Sequence, residues 1–193
     1  MTTDLKLGKE CNDDAMSSVM RAMEGPAEHA LVLLSQSLAN WPLDFRLWFL
    51  RGATLASQQR YDEARVDFLR VQELAQEFLI ATFMLGFLDF VNARVTAAEA
   101  TWAALGQVAE DHPLRVLKDG LLSLSRNEFE VSLEQLRRGL ALNQQYPLIN
   151  PFIQAVIAQI AQESQQTNAT TADTQTSQDH LLLSSYNGNQ TRH

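Results

Sequence analysis

Apolar residues recur at helical intervals through most of the chain, and short polar or proline-containing breaks divide them into segments. Ala15, Met16, Val19, Met20 and Met23 trace one stripe, predicting a helix from about 13, with Asp13 or Asp14 near its start as cap. Gly25-Pro26 stops that helix and starts a second over 27–39. Pro42 breaks the chain, and Asp44 suits the cap of a helix over 45–58. A return helix follows over 62–75. The next two segments, 78–92 and 96–110, repeat the arrangement, with Thr96 and Glu99 at capping-box spacing. Asp111-His112-Pro113 ends that pair, and 114–125 and 128–142 form another. After a break at 143–147, an amphipathic helix is expected over 151–163. The remainder, 164–193, is mostly Gln, Thr, Ser, Asn, Ala and Asp, too polar to offset the entropy of ordering. Only Leu181, Leu182, Leu183 and Tyr186 give it an apolar segment. The expected organisation is a frayed N-terminus over 1–12, a helical domain over 13–163 and a disordered tail over 164–193.

Within the helical domain one spacing dominates. Gly52, Gly86 and Gly120 stand 34 residues apart, each inside an apolar helical run. A lone glycine there costs about 1 kcal/mol relative to alanine, so its recurrence implies close approach of another helix. Tyr61, Val95 and Phe129 follow the glycines by nine residues, and Ala64, Ala98 and Ser132 by twelve. Phe68, Trp102 and Leu136 follow by sixteen. Four columns in one register indicate a helical repeat. Ala30 and Leu34 extend it backwards, although Ser18 takes the glycine position there.

These columns resemble the tetratricopeptide repeat (TPR) family. Trp48, Leu50, Gly52, Leu55, Tyr61, Ala64 and Phe68 match its pattern most fully, with Arg51 in place of the usual leucine before glycine. Leu85-Gly86, Ala98 and Trp102 continue it, as do Gly120, Phe129, Ser132, Leu136 and Gly139. The resemblance spans about 13–147. It implies an all-α, TPR-like α-solenoid of about four helix pairs plus a C-terminal capping helix.

In that family the first helix of each pair lines a concave groove. By that resemblance Phe83, Phe87, Leu117 and Leu121 would be central anchors for a partner, flanked by Phe49, Phe90 and Leu124. This lining is unusually apolar and needs a cover: a partner's hydrophobic segment, another copy, or the chain's own tail. Tight curling that makes these residues ordinary core is the competing reading. The function expected is a non-catalytic protein–protein interaction module, with a groove resembling those of TPR chaperones of bacterial secretion systems. The alternative is an assembly subunit that self-associates through the third and fourth pairs. Arg46 is the only basic residue among the groove positions, which argues against a clamp for a peptide carboxylate.

Composition narrows the chemistry. The net charge is −8 with 15 basic residues, a poor basis for binding nucleic acid or anionic membranes. No apolar run approaches about 18 residues, since Asp89 interrupts the longest, 80–91, so membrane insertion is not expected. Residues 1–14 lack an apolar core of signal-peptide type. A single cysteine, Cys11, fits a reducing, cytoplasmic setting. His29, His112, His180 and His193 show no metal-ligand spacing, and no glycine-rich phosphate loop is present. Neither a cofactor nor an enzymatic activity is expected. Asp89, beside the proposed groove, is assigned to Arg94, to a partner's basic group, or to a solvated face.

Overall fold

A computed structural model describes residues 10–170, with side chains through 162. The apolar tail segment expected at Leu181, Leu182, Leu183 and Tyr186 lies outside the described residues. Among these, all regular structure is helical: nine α-helices and two short 3-10 turns, packed against their neighbours in sequence order. The chain divides into two compact units between Ala81 and Thr82, inside the fifth helix.

The first unit contains α1 (Asp13–Met23), α2 (Ala27–Asn40), α3 (Phe45–Ser57) and α4 (Tyr61–Leu74). Asn12, rather than Asp13 or Asp14, caps α1: its Oδ1 accepts from the Ala15 N–H at 2.8 Å. The aspartates instead occupy the first turn, where negative charge complements the helix dipole. Asp44 caps α3 as expected, accepting from the Arg46 N–H at 3.0 Å. The α3–α4 pair closes where Phe68 lies against Gly52; a Cβ on Gly52 would sit 2.9 Å from Phe68 Cε1. Beside that contact, the Arg51 guanidinium donates to both oxygens of Asp67, at 2.8 and 2.7 Å. It also covers the Trp48 ring, 4.7 Å from its centroid. Asp67, buried on α4, supplies the counter-charge that lets Arg51 stand beside this contact.

The second unit begins within α5 (Leu79–Val91) and continues through α6 (Val95–Trp102), α7 (Pro113–Ser125), α8 (Phe129–Leu142) and α9 (Asn150–Thr170). The same closure recurs twice. Trp102 lies on Gly86 and donates from its indole nitrogen to the Phe83 carbonyl at 2.9 Å. Leu136 lies on Gly120, and Leu117 returns the contact onto Gly139. Ala30, Ala64, Ala98 and Ser132 are all buried at equivalent positions, as are Leu34, Phe68, Trp102 and Leu136. The columns of the sequence are the contacts of the helix pairs.

The turns repeat as well. Gln59, Ala93 and Asn127 are left-handed, with φ of 59°, 59° and 61°. After each, the next N–H reaches back to a helix carbonyl: Arg60 to Leu55, Arg94 to Asp89, and Glu128 to Ser123, at 2.9–3.0 Å. This is the Schellman ending. In the first pair the equivalent residue is Pro26, which has no N–H to donate. Gly25 accordingly stays out of the left-handed region.

Three expected boundaries move. Thr96 is not a cap: the Schellman turn delivers Arg94 as cap without a side-chain bond, and α6 begins at Val95. The segment expected to be helical through 110 becomes a 3-10 turn at Ala103–Gln107, where Gly106 weakens the helix and buried Leu105 holds the register. At the other end, α9 continues to Thr170, past the expected limit of 163. Adding residues to an existing helix costs little once it is nucleated.

Candidate functional site

All seven residues expected to bind a partner are buried. Phe49, Phe83, Phe87, Phe90, Leu117, Leu121 and Leu124 are between 0% and 8% exposed. Helical geometry accounts for five of them. At about 100° per residue, positions three before and four after a glycine fall within about 60° of its direction. Phe49, Phe83, Phe90, Leu117 and Leu124 therefore share the faces that the closing glycines turn to their return helices. Phe49 packs on Phe68 with centroids 5.7 Å apart, and Phe83 and Phe90 pack on Trp102 at 5.9 and 6.1 Å. Leu117 lies on Gly139. These are the walls of the helix pairs; as folded, they do not offer side chains to a partner.

Phe87 and Leu121 sit one residue past their glycines, about 100° round the helix. Phe87 is covered by the chain itself. Phe152 of α9 meets it edge-on, with centroids 5.8 Å apart at 64°. Ile153, Val156 and Ile160 continue the buried stripe of α9, which packs against α8. Spacings of three and four place this stripe on one helix face. The sequence did predict an amphipathic helix here; its seat on Phe87 was not predicted, because Phe87 and Phe152 are far apart in the chain.

The entry to α9 is fastened by polar groups. Asn143, buried, donates to the Tyr146 carbonyl at 2.8 Å and to Asn150 Oδ1 at 2.7 Å, and accepts from the Tyr146 N–H at 3.1 Å. Tyr146 approaches His112, with ring centroids 6.2 Å apart, and burial pushes its hydroxyl pKa up. Asp89 is buried at the end of α5, and Arg94 donates to it at 2.9 Å. Of the three roles open to Asp89, the structure shows the pairing with Arg94 across the turn, and its burial rules out the solvated face.

Cys11, expected in a loose end, is buried. Its N–H donates to Asp44 Oδ2 at 2.7 Å, and its Sγ lies 3.9 Å from an Arg46 guanidinium nitrogen. Burial, together with Asp44, pushes the thiol pKa up to about 11, which opposes a thiolate nucleophile. Arg46, the one basic residue among the expected groove positions, is engaged by Asp44 at 2.7 Å.

Among the described residues no group of three or more His, Cys, Asp or Glu side chains is placed to hold a metal ion. No helix among them is long and apolar enough to cross a membrane. Compared with models of known families, with curated proteins and with solved structures, the chain matches none.

Proposed function

We propose that the chain is a non-catalytic helical-repeat module that binds an amphipathic helical segment of a partner protein at the place α9 holds over Phe87. The observation that carries this reading is the seat of α9 itself. An apolar helix face rests there on an aromatic side chain, and only the polar fastening around Asn143 precedes it. A surface that accepts one such helix within the chain suits another from outside. The TPR-like register and the loose likeness to secretion chaperones support a protein-binding role of this kind. Self-association is the second reading: two copies exchanging α9 would satisfy the same surface, as domain swapping does.

A synthetic peptide covering 149–163 tests this against the intact chain. The tethered α9 competes at an effective concentration in the mM range, so the wild-type chain should bind the peptide weakly. Phe152→Ala removes a half-buried anchor and should tighten peptide binding by about tenfold or more as the tethered helix loosens. If the peptide binds neither folded protein at mM concentration, α9 is fixed core and the reading fails. Light scattering of the same samples separates exchange between copies from binding by a monomer.

A further inference from the structure

The first unit holds a pocket of about 280 Å³, remote in sequence from α9. Leu31 and Ser35 of α2, Arg51 and Leu55 of α3, and Val66 and Asp67 of α4 line it. Arg60 and Glu63 close one end as an ion pair at 2.7 Å.

Three features define what it accepts. Its charges cancel in pairs, Arg51 with Asp67 and Arg60 with Glu63, so the lining favours a neutral occupant. Its volume falls just under the roughly 300–1,000 Å³ of pockets for cofactors and drug-sized ligands, and suits a single large side chain. Arg51 is held rigidly by Asp67 and the Trp48 ring through its Nε and one terminal nitrogen. Its other terminal nitrogen, Nη1, remains a donor without a hydrogen-bond partner among the described residues.

Exposed branched residues stand close in sequence to the lining residues of α2 and α4. Val32 is 55% exposed on α2 and Val66 63% on α4, at equivalent positions of their pairs, and Leu69 is exposed one turn beyond Val66. The later pairs carry Ala100 and Glu134 at the valine position, and Ala103 and Arg137 at that of Leu69. The repeat does not require exposed branched residues there; the first two pairs alone carry them.

We propose that this pocket is a docking notch for one bulky apolar side chain of a partner polypeptide, with the partner's neighbouring backbone carbonyl received by Arg51 Nη1. The site is separate from the α9 seat and stands or falls independently of it.

The test is a titration of the ¹⁵N-labelled full chain with N-acetyl-tryptophanamide, N-acetyl-lysinamide and 3-methylindole, followed by amide shifts. A fragment of this size binds at best with a Kd on the order of mM. N-acetyl-tryptophanamide should shift Ser35, Leu55 and Val66 in a saturable way. 3-Methylindole, which lacks the carbonyl, should bind more weakly, and N-acetyl-lysinamide should leave these amides unmoved. Val66→Lys, at an exposed position that leaves the fold intact, should weaken N-acetyl-tryptophanamide binding about tenfold. Absence of shifts at these residues, equal binding of the lysine compound or of 3-methylindole, or unchanged affinity in Val66→Lys would each overturn the proposal.

Discussion

Replacing Gly86 by alanine should destabilise the protein, although alanine is the better helix former by about 1 kcal/mol. A Cβ at that position would clash with the Nε1 corner of the Trp102 indole, 2.5 Å from both Cδ1 and Cε2. Trp102 cannot swing aside cheaply. It is buried, packed on Phe83 and Phe90, and tied to the Phe83 carbonyl. Forced repacking costs about 1–3 kcal/mol, and loss of the indole hydrogen bond with its N–H left buried about 1–3 more. Setting the propensity gain against these leaves a net loss of about 3 kcal/mol, or about 10 °C in Tm for a chain of this size. Gly106→Ala is the internal control: nothing lies within 4 Å of its added Cβ. That variant should match or slightly exceed wild type. Urea unfolding followed by tryptophan fluorescence and circular dichroism measures both. A double-mutant cycle with Trp102→Leu should show positive coupling, since the smaller side chain admits the methyl group. The reasoning fails if Gly86→Ala is as stable as wild type, or if its cost does not depend on Trp102.

Four further substitutions probe the turns, the N-terminal cluster and the buried polar set. Ala93→Gly should stabilise by about 0.5–1 kcal/mol in thermal unfolding by relieving a left-handed φ of 59°; Asn127→Gly should change little, because asparagine tolerates that region. Ser132 Oγ is buried without a hydrogen-bond partner among the described residues, at the column otherwise held by Ala30, Ala64 and Ala98, so Ser132→Ala should raise the urea midpoint by about 1 kcal/mol equivalent. Burial pushes the Asp44 carboxyl pKa up, but Arg46 and the Cys11 N–H more than reverse this and hold it below its usual 3.8. Its folded pKa is therefore depressed, and the stability it confers is present above 3.8 and lost as pH falls through the folded value. Asp44→Asn should lower stability by about 1–3 kcal/mol at pH 7 and flatten the loss of stability below pH 4; an unchanged acid profile would contradict this.

The pairing of helices was legible because it is written in a fixed period. Gly52, Gly86 and Gly120 with Phe68, Trp102 and Leu136 place each contact within one pair, where separation along the chain is constant. The Schellman turns carry the same period but no shared residue type: glutamine, alanine and asparagine occupy the left-handed position. The burial of the expected groove residues has a geometric reason. Groove positions taken from the family likeness put Phe83 and Phe90 on an open face, whereas their distances of three and four from Gly86 already place them beside it. Cys11 was misread because its burial depends on Asp44, a residue whose capping role alone is visible locally. The seat of α9 on Phe87 joins a repeat helix to a segment outside the repeat register, so no period could announce it.

The central claim is that α9 is a helix held in a binding seat, able to leave while the rest of its unit stays folded. Native-state hydrogen exchange of the second unit measures this directly. The account predicts that amides of α9 over 154–162 exchange through an opening cheaper by about 2 kcal/mol or more than that of α7 and α8, and that Phe152→Ala widens the gap. If α9 exchanges only with α7 and α8, at one common free energy, it is an inseparable part of the core and the claim is contradicted.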